Sequence, residues 1–199
     1  MCPSPHIGVV STESVLMRVH NYIMISLDTD GNSVILVLLD LLAAFDTVNH
    51  DLLMSRLERR CGITGTVVNW FKSYLCSLTQ FVSTNQSHST KRDLLVGVPP
   101  DSILGPLLYL LYTAPISDVI ASHHLNYHLY ADDTQLYLAF ETDDVNLAVD
   151  RVVNCLSEIS CWMEQNDLKL NPEKTDILLI YSWFRVKPAL DYLQFIKDE

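Results

Sequence analysis

The sequence predicts an α+β fold, an antiparallel sheet with helices on one face. Three features predict it. Residues 34–39 are an unbroken apolar run that ends at Asp40; two aromatic-rich runs, 125–130 and 134–140, meet at Ala131-Asp132-Asp133; and Val145, Val149, Val152, Leu156, Ile159 and Met163 recur at spacings of four, three, four, three and four. The first reads as a strand buried on both faces, the second as a hairpin, the third as a helix packed on a sheet. Asp40 and the Asp132-Asp133 pair stand far apart in sequence. Their carboxylates can share one cation only if their strands are neighbours.

The remaining elements follow in order. Residues 12–25 alternate apolar and polar positions at helical spacing, with Val15, Arg18 and Val19 on neighbouring turns. Asp28 to Asn32 is a turn leading to the strand before Asp40. Asn49 or Asp51 can cap a short helix carrying Leu52, Leu53 and Leu57, which stops near Gly62. A helix from about Thr66 buries Val67, Trp70, Phe71 and Tyr74; at this spacing its aromatics read as core rather than as base-stacking groups. Residues 80–84 and 93–98 read as a hairpin around a polar loop, 85–92. Asp101 or Ser102 can cap the next helix, and Asp143 or Asp144 the helix that carries the apolar stripe. That helix ends before Asn171-Pro172, and residues 176–181 form a further strand of the sheet.

A chain of 199 residues with 49% hydrophobic content can bury one substantial core. No run of 18 apolar residues occurs, and the N-terminus lacks the basic start and apolar core of a secretory signal; no membrane partner is expected. Cys2, Cys61, Cys76, Cys155 and Cys161 show neither a disulfide framework nor paired-ligand spacing. They read as buried or free thiols of a reducing, intracellular compartment, nuclear or cytoplasmic, with zinc binding as the alternative. Internal repeats and low-complexity segments are absent from the sequence.

The charge balance bears on partners. Formal charge is −11, and between Arg92 and Arg151 there is no Lys or Arg while Asp and Glu occur nine times. Affinity for a polyanion comes mainly from cations that neutralise phosphates, so weak nucleic-acid binding is expected. Arg56, Arg59 and Arg60, with Lys72, Lys91 and Arg92, are either a phosphate track or a solvated helix face plus a hairpin rim.

The acids carry the chemistry. Paired carboxylates at a hairpin tip are a place to hold a divalent cation, although Asp-Asp is also ordinary turn chemistry. An Asp that ends a fully buried strand is placed at an exposed tip or beside a cation, because an unpaired buried carboxylate is costly. At this point the sequence resembles a known family. Asp40 with Phe45 and Asp46 resembles the first palm motif of reverse transcriptases, and Tyr130-Ala131-Asp132-Asp133 their metal-binding hairpin. More narrowly, Leu39-Asp40 through Asp51, Asn69-Trp70-Phe71-Lys72-Ser73-Tyr74-Leu75 and Leu104-Gly105-Pro106-Leu107-Leu108-Tyr109 are similar to the reverse transcriptases of animal non-LTR, LINE-type retrotransposons. The resemblance runs from about Ser11 to Tyr181.

The resemblance implies a palm-like domain over residues 11–182, between a disordered segment 1–10 and a divergent tail 183–199, with most of the fingers and thumb missing. It implies RNA-directed DNA polymerisation by two-metal nucleotidyl transfer, with magnesium or manganese as cofactor and RNA template, DNA primer and deoxynucleotide as partners. The implied metal ligands are Asp40, Asp132 and Asp133, with the Leu41 backbone carbonyl. Phe45 matches the position whose bulky ring excludes a ribose 2′-hydroxyl, and Lys174 the lysine associated with protonating the leaving pyrophosphate; a solvated loop lysine is the other reading of Lys174. Asp46 and Asp51 read as capping or solvated residues. The nucleotide floor, Gly97-Val98-Pro99-Pro100-Asp101-Ser102, departs from the family: Pro100 stands in place of glutamine and Asp101 in place of glycine. Proline removes an amide donor, and aspartate adds negative charge where backbone should approach a triphosphate. Impaired polymerase activity is therefore the expectation; the alternative is a degenerate retrotransposon fragment that folds without polymerising and acts at most as a binding or interaction module.

Overall fold

The computed structural model describes residues 12–29, 32–84, 87–99, 102–130 and 133–181, with side chains from Leu16 onward. The expectations for 1–10 and 183–199, and for Pro100, Asp101 and Asp132, lie outside these residues. In chain order the elements are α1 (Thr12–Leu27), β1 (Asn32–Leu39), α2 (His50–Arg59), α3 (Thr66–Cys76), β2 (Thr79–Gln80), β3 (Ser83–Thr84), β4 (Ser87–His88), β5 (Arg92–Asp93), α4 (Leu104–Thr113), α5 (Ile116–Ser122), β6 (Asn126–Tyr130), β7 (Asp133–Glu141), α6 (Val145–Glu164) and β8 (Asp176–Tyr181). They group into two compact units: one drawn from 1–41, 115–162 and 170–199, the other from 42–114 and 163–169.

The first unit is the sheet. Its strand order is β6-β7-β1-β8, and every neighbouring pair is antiparallel, as the carboxylate argument requires. β1 is central because its side chains suit burial on both faces: Val34, Ile35 and Val37 are essentially inaccessible. β7 alternates, burying Thr134, Leu136 and Leu138 on one face and leaving Asp133, Gln135, Tyr137, Ala139 and Glu141 more accessible on the other. α1 lies along β1, and its Tyr22 reaches β7, meeting Tyr137 edge-on at 4.7 Å and accepting at its hydroxyl from the Ala139 N–H at 3.2 Å. α5 packs on β6. In α6 the buried stripe is Ala148, Val152, Cys155, Ile159 and Met163, so Val145, Val149 and Leu156 flank the seam rather than fill it. Asp143 and Asp144 lie in a 3-10 turn, Thr142–Asp144, that leads into α6.

The second unit holds α2, α3 and α4 with the short strands β2 to β5. Asn49 caps α2, its side-chain oxygen accepting from the Asp51 and Leu52 N–H groups at 3.0 and 3.1 Å. α2 packs on α3 and α4 through Leu53, Leu57, Phe71, Leu75 and Leu108. Each such aliphatic side chain contributes about 1.5–3 kcal/mol by burial. The expected hairpin is shorter and shifted: β2 pairs with β5, β3 with β4, and residues 94–98 leave the ladder. There the Gly97 and Val98 N–H groups donate instead to the Val48 and Phe45 carbonyls, each at 2.8 Å.

One titration follows from this packing. Burial, and then the Arg18 guanidinium, hold the His128 imidazole on β6 below its usual pKa of 6.5. The folded state thus favours neutral His128 while the unfolded chain takes up a proton near that value. The stability it contributes is present above about pH 6.5 and is lost as pH falls toward the lower folded-state value. His128→Gln should flatten the dependence of the urea midpoint on pH between about 7 and 5; an unchanged slope would assign that dependence to other groups.

Candidate active site

The site is built by register. Leu39 of β1 pairs with Thr134 of β7, so one further step along each strand reaches Asp40 and Asp133 at the same end of the sheet. On the other side of β1, Leu38 pairs with Asp176 of β8, and two steps on lie Asp40 and Lys174. The Lys174 ammonium is 3.7 Å from Asp40 Oδ2. Three of the residues singled out in sequence are thereby brought to one sheet end. Asp133 is the first residue of β7, paired with Tyr130, rather than part of the connection between the strands.

Asp40 is held by a residue that sequence reasoning treated only as a helix stop. Asn171 is buried, and it donates twice to Asp40: from its backbone N–H to the Asp40 carbonyl and from Nδ2 to Oδ2, both at 2.9 Å. The Asn171 carbonyl in turn accepts from the Lys174 N–H at 3.3 Å and the Thr175 hydroxyl at 2.8 Å. Leu41 is buried and bridges Leu170. The bonds of that bridge run through the flanking residues, Asn171 to Asp40 and Leu42 to Lys169, and not through the Leu41 carbonyl.

Part-exposed carboxylates at a strand end are hard oxygen donors of the kind magnesium and manganese take. Asp40 is 23% exposed, open enough to meet a hydrated ion. Among the described residues no group of three His, Cys, Asp or Glu side chains closes around one point. The donor chemistry fits a divalent cation held by Asp40 and Asp133; the third acid, Asp132, is outside the described residues.

In the second unit Phe45 lies half-buried against Tyr109, ring centroids 4.9 Å apart. Beside it runs the segment 97–99. Gly97 has φ +92, and a Cβ there would lie 2.9 Å from the Asp46 carbonyl oxygen, so only glycine permits this approach. The Val98 bond to Phe45 then ties the two together. Ser102 supports the start of α4: its hydroxyl donates to the Pro99 carbonyl at 2.7 Å and accepts the Gly105 N–H at 2.8 Å.

Two expectations are corrected. α3 buries Val68, Phe71 and Leu75, whereas Val67 and Trp70 are about half exposed and Trp70 stacks on Tyr74. Arg56 is no phosphate-track residue: its guanidinium donates to the Tyr112 carbonyl and the Asn166 side chain and lies 4.4 Å over the Tyr112 ring. Burial, together with nearby Arg60, lowers its pKa, against the opposing influence of Tyr112. Lys72 is engaged as well, in an exposed pair with Glu58 at 3.1 Å that contributes little to stability.

The antiparallel sheet with an acidic end is the arrangement that the comparisons with known proteins address. The family model for reverse transcriptase (RNA-dependent DNA polymerase) matches residues 4–196. Among curated proteins, the chain is 33% identical over 144 residues to the probable RNA-directed DNA polymerase from transposon BS of Drosophila melanogaster, covering 70% of this chain and 16% of that protein. It is 28% identical over 169 residues to the RNA-directed DNA polymerase from mobile element jockey of the same organism, covering 82% and 18%. Among solved structures, apo telomerase from Candida tropicalis superposes with a TM-score of 0.65 at 15% identity, over 91% of this chain and 38% of that one. Telomerase from Candida albicans in complex with a telomeric RNA fragment gives 0.65 at 18% identity, over 92% and 32%. The chain belongs to the reverse transcriptase family, in its LINE-type branch, and spans less than a fifth of the length of these curated relatives. Its α+β fold is palm-like. Among the described residues, no single helix is long and apolar enough to cross a membrane.

Proposed function

We propose that this chain carries the nucleotidyl-transfer centre of an RNA-directed DNA polymerase, with deoxynucleotide, DNA primer and RNA template as substrates. The observation that carries the reading is the register that sets Asp40 between Asp133 and Lys174. Asp40 and Asp132 are the principal ligands, Asp133 supports them, and the Leu41 carbonyl can join them. Magnesium or manganese, when bound, supplies activation of the primer hydroxyl and compensation of the charge on the leaving pyrophosphate. Phe45 excludes the ribose 2′-hydroxyl. Lys174 is 72% exposed, so its ammonium is free to swing from Asp40 and donate a proton to the leaving pyrophosphate. Pro100 and Asp101 weaken triphosphate binding and make the reaction slow. Exposed thiols at Cys61 and Cys76 agree with a reducing, intracellular setting.

A second reading, a fragment that binds metal but does not polymerise, draws support from Arg56 and Lys72, whose charges are already engaged within the protein. Two measurements separate the readings. Magnesium or manganese at tenfold its dissociation constant should stabilise the wild-type chain by about 1.4 kcal/mol, and Asp40→Asn should remove the increment. Primer extension should be slow, should rise in the Pro100→Gln, Asp101→Gly double variant, and should vanish in Asp132→Ala. Metal stabilisation without extension by the double variant selects the second reading, and extension that survives Asp132→Ala overturns the first.

A further inference from the structure

Among the described residues, both contacts on the Asp40 carboxylate, from Asn171 Nδ2 and from Lys174 Nζ, fall on the same oxygen, Oδ2. Asn171 also grips the Asp40 main chain, and its own carbonyl gathers the Lys174 amide and the Thr175 hydroxyl. One buried residue therefore fixes the rotamer of an acid and the turn that presents the lysine. An amide is suited to this. It donates to a carboxylate without adding charge, whereas a second ammonium would compete with any cation and a carboxylate would repel its neighbour.

We propose that Asn171 is a positioning residue for the acidic site: it pins Asp40 through Oδ2 and reserves Oδ1 for the divalent cation, while its carbonyl sets the loop that carries Lys174. The inference rests on the metal reading of Asp40. It adds a device that the acids alone do not supply, because a carboxylate free to rotate loses side-chain entropy on meeting the ion, and one already locked does not. The Lys174 contact at 3.7 Å is longer than a direct hydrogen bond, so displacement of the ammonium by the cation costs little, while the 2.9 Å amide bond persists.

The test is manganese binding to the full chain, followed by the electron paramagnetic resonance signal of the free ion, for wild type, Asp40→Asn, Asn171→Leu and the double variant. Asn171→Leu is expected to weaken manganese about tenfold, the lower end of the usual effect of removing a residue that supports a metal ligand. In the Asp40→Asn background the same change should do nothing further, because its path runs through Asp40. Binding by wild type that is lost in Asp40→Asn but unchanged in Asn171→Leu sinks the positioning role alone. Equal binding by wild type and Asp40→Asn sinks the metal reading itself. Should Asn171→Leu fail to fold, the wild-type chain still decides: the Asn171 side-chain amide signals should move in a nuclear magnetic resonance titration with magnesium, and signals that stay fixed while magnesium binds overturn the proposal.

Discussion

Gly105→Ala is expected to lower the thermal midpoint by about 6–12 °C, the consequence of roughly 3 kcal/mol of overpacking in a domain of this size. A methyl at this position would sit 2.1 Å from the Pro99 carbonyl oxygen and 3.0 Å from both the Pro99 carbonyl carbon and Ser102 Oγ. The nearest obstacle is backbone, so no side-chain rotation relieves it; α4 or the 97–99 segment must move. Movement of either breaks the hydrogen bonds that Ser102 makes to Pro99 and Gly105. Ser102→Ala supplies the comparison, since it removes those bonds without adding bulk and should cost only about 1 kcal/mol. Differential scanning calorimetry of the two variants would separate clash from capping. Equal losses would show that the segment yields freely and that the close approach has no structural weight.

Arg56→Met should cost about 2–4 kcal/mol, judged from hydrogen bonds of a charged donor worth about 1.5–3 kcal/mol each when one partner is removed. The guanidinium bonds Tyr112 and Asn166, and the same Tyr112 turns its hydroxyl to the Asn166 carbonyl at 2.5 Å. The ring stack adds a cation–π contribution of about 0.5–2 kcal/mol. Methionine keeps the unbranched apolar stem but neither the planar fork nor the charge, so α2, α4 and the turn after α6 lose their common tie. Arg56→Lys should recover only part of the loss. Urea unfolding is the measurement, and a cost below about 0.5 kcal/mol for Arg56→Met would return Arg56 to the solvated face that its sequence neighbourhood suggested.

Sequence alone made the sheet and its acidic end legible because chemistry constrained them twice: Val34 to Leu39 demanded a buried strand, and carboxylates far apart in sequence demanded adjacency. Helix faces were less legible. In α3 the sets Val67, Trp70, Tyr74 and Val68, Phe71, Leu75 have the same spacing of three and four, so periodicity cannot choose between them. The packing on α2 chose the second and left Trp70 half exposed, stacked on Tyr74. α6 shows the same effect more mildly, since Ala148 and Cys155 are small enough to sit on the seam that larger neighbours flank. Asn171 was invisible as a site residue because Asn before Pro reads as a stop signal, and its partner Asp40 lies on a distant strand that only the folded chain brings near. Arg56 was misread for a related reason: Tyr112 and Asn166, which bury it, come from elements remote in sequence.

The place of β1 in the sheet has a consequence for how the protein comes into being. This strand leaves the ribosome well before both of its neighbours, since β7 and β8 are encoded about a hundred residues later or more. Until they arrive, a strand with six consecutive apolar residues has two open edges and no strand partner. Pairings of such long sequence separation close slowly, and at about 5–20 residues per second the exposure lasts for seconds. The most productive part of the fold for holding the acids together is thus its most aggregation-prone part during synthesis, and substitutions that slow the arrival or docking of β8 should show themselves as lost soluble yield before they show as lost stability.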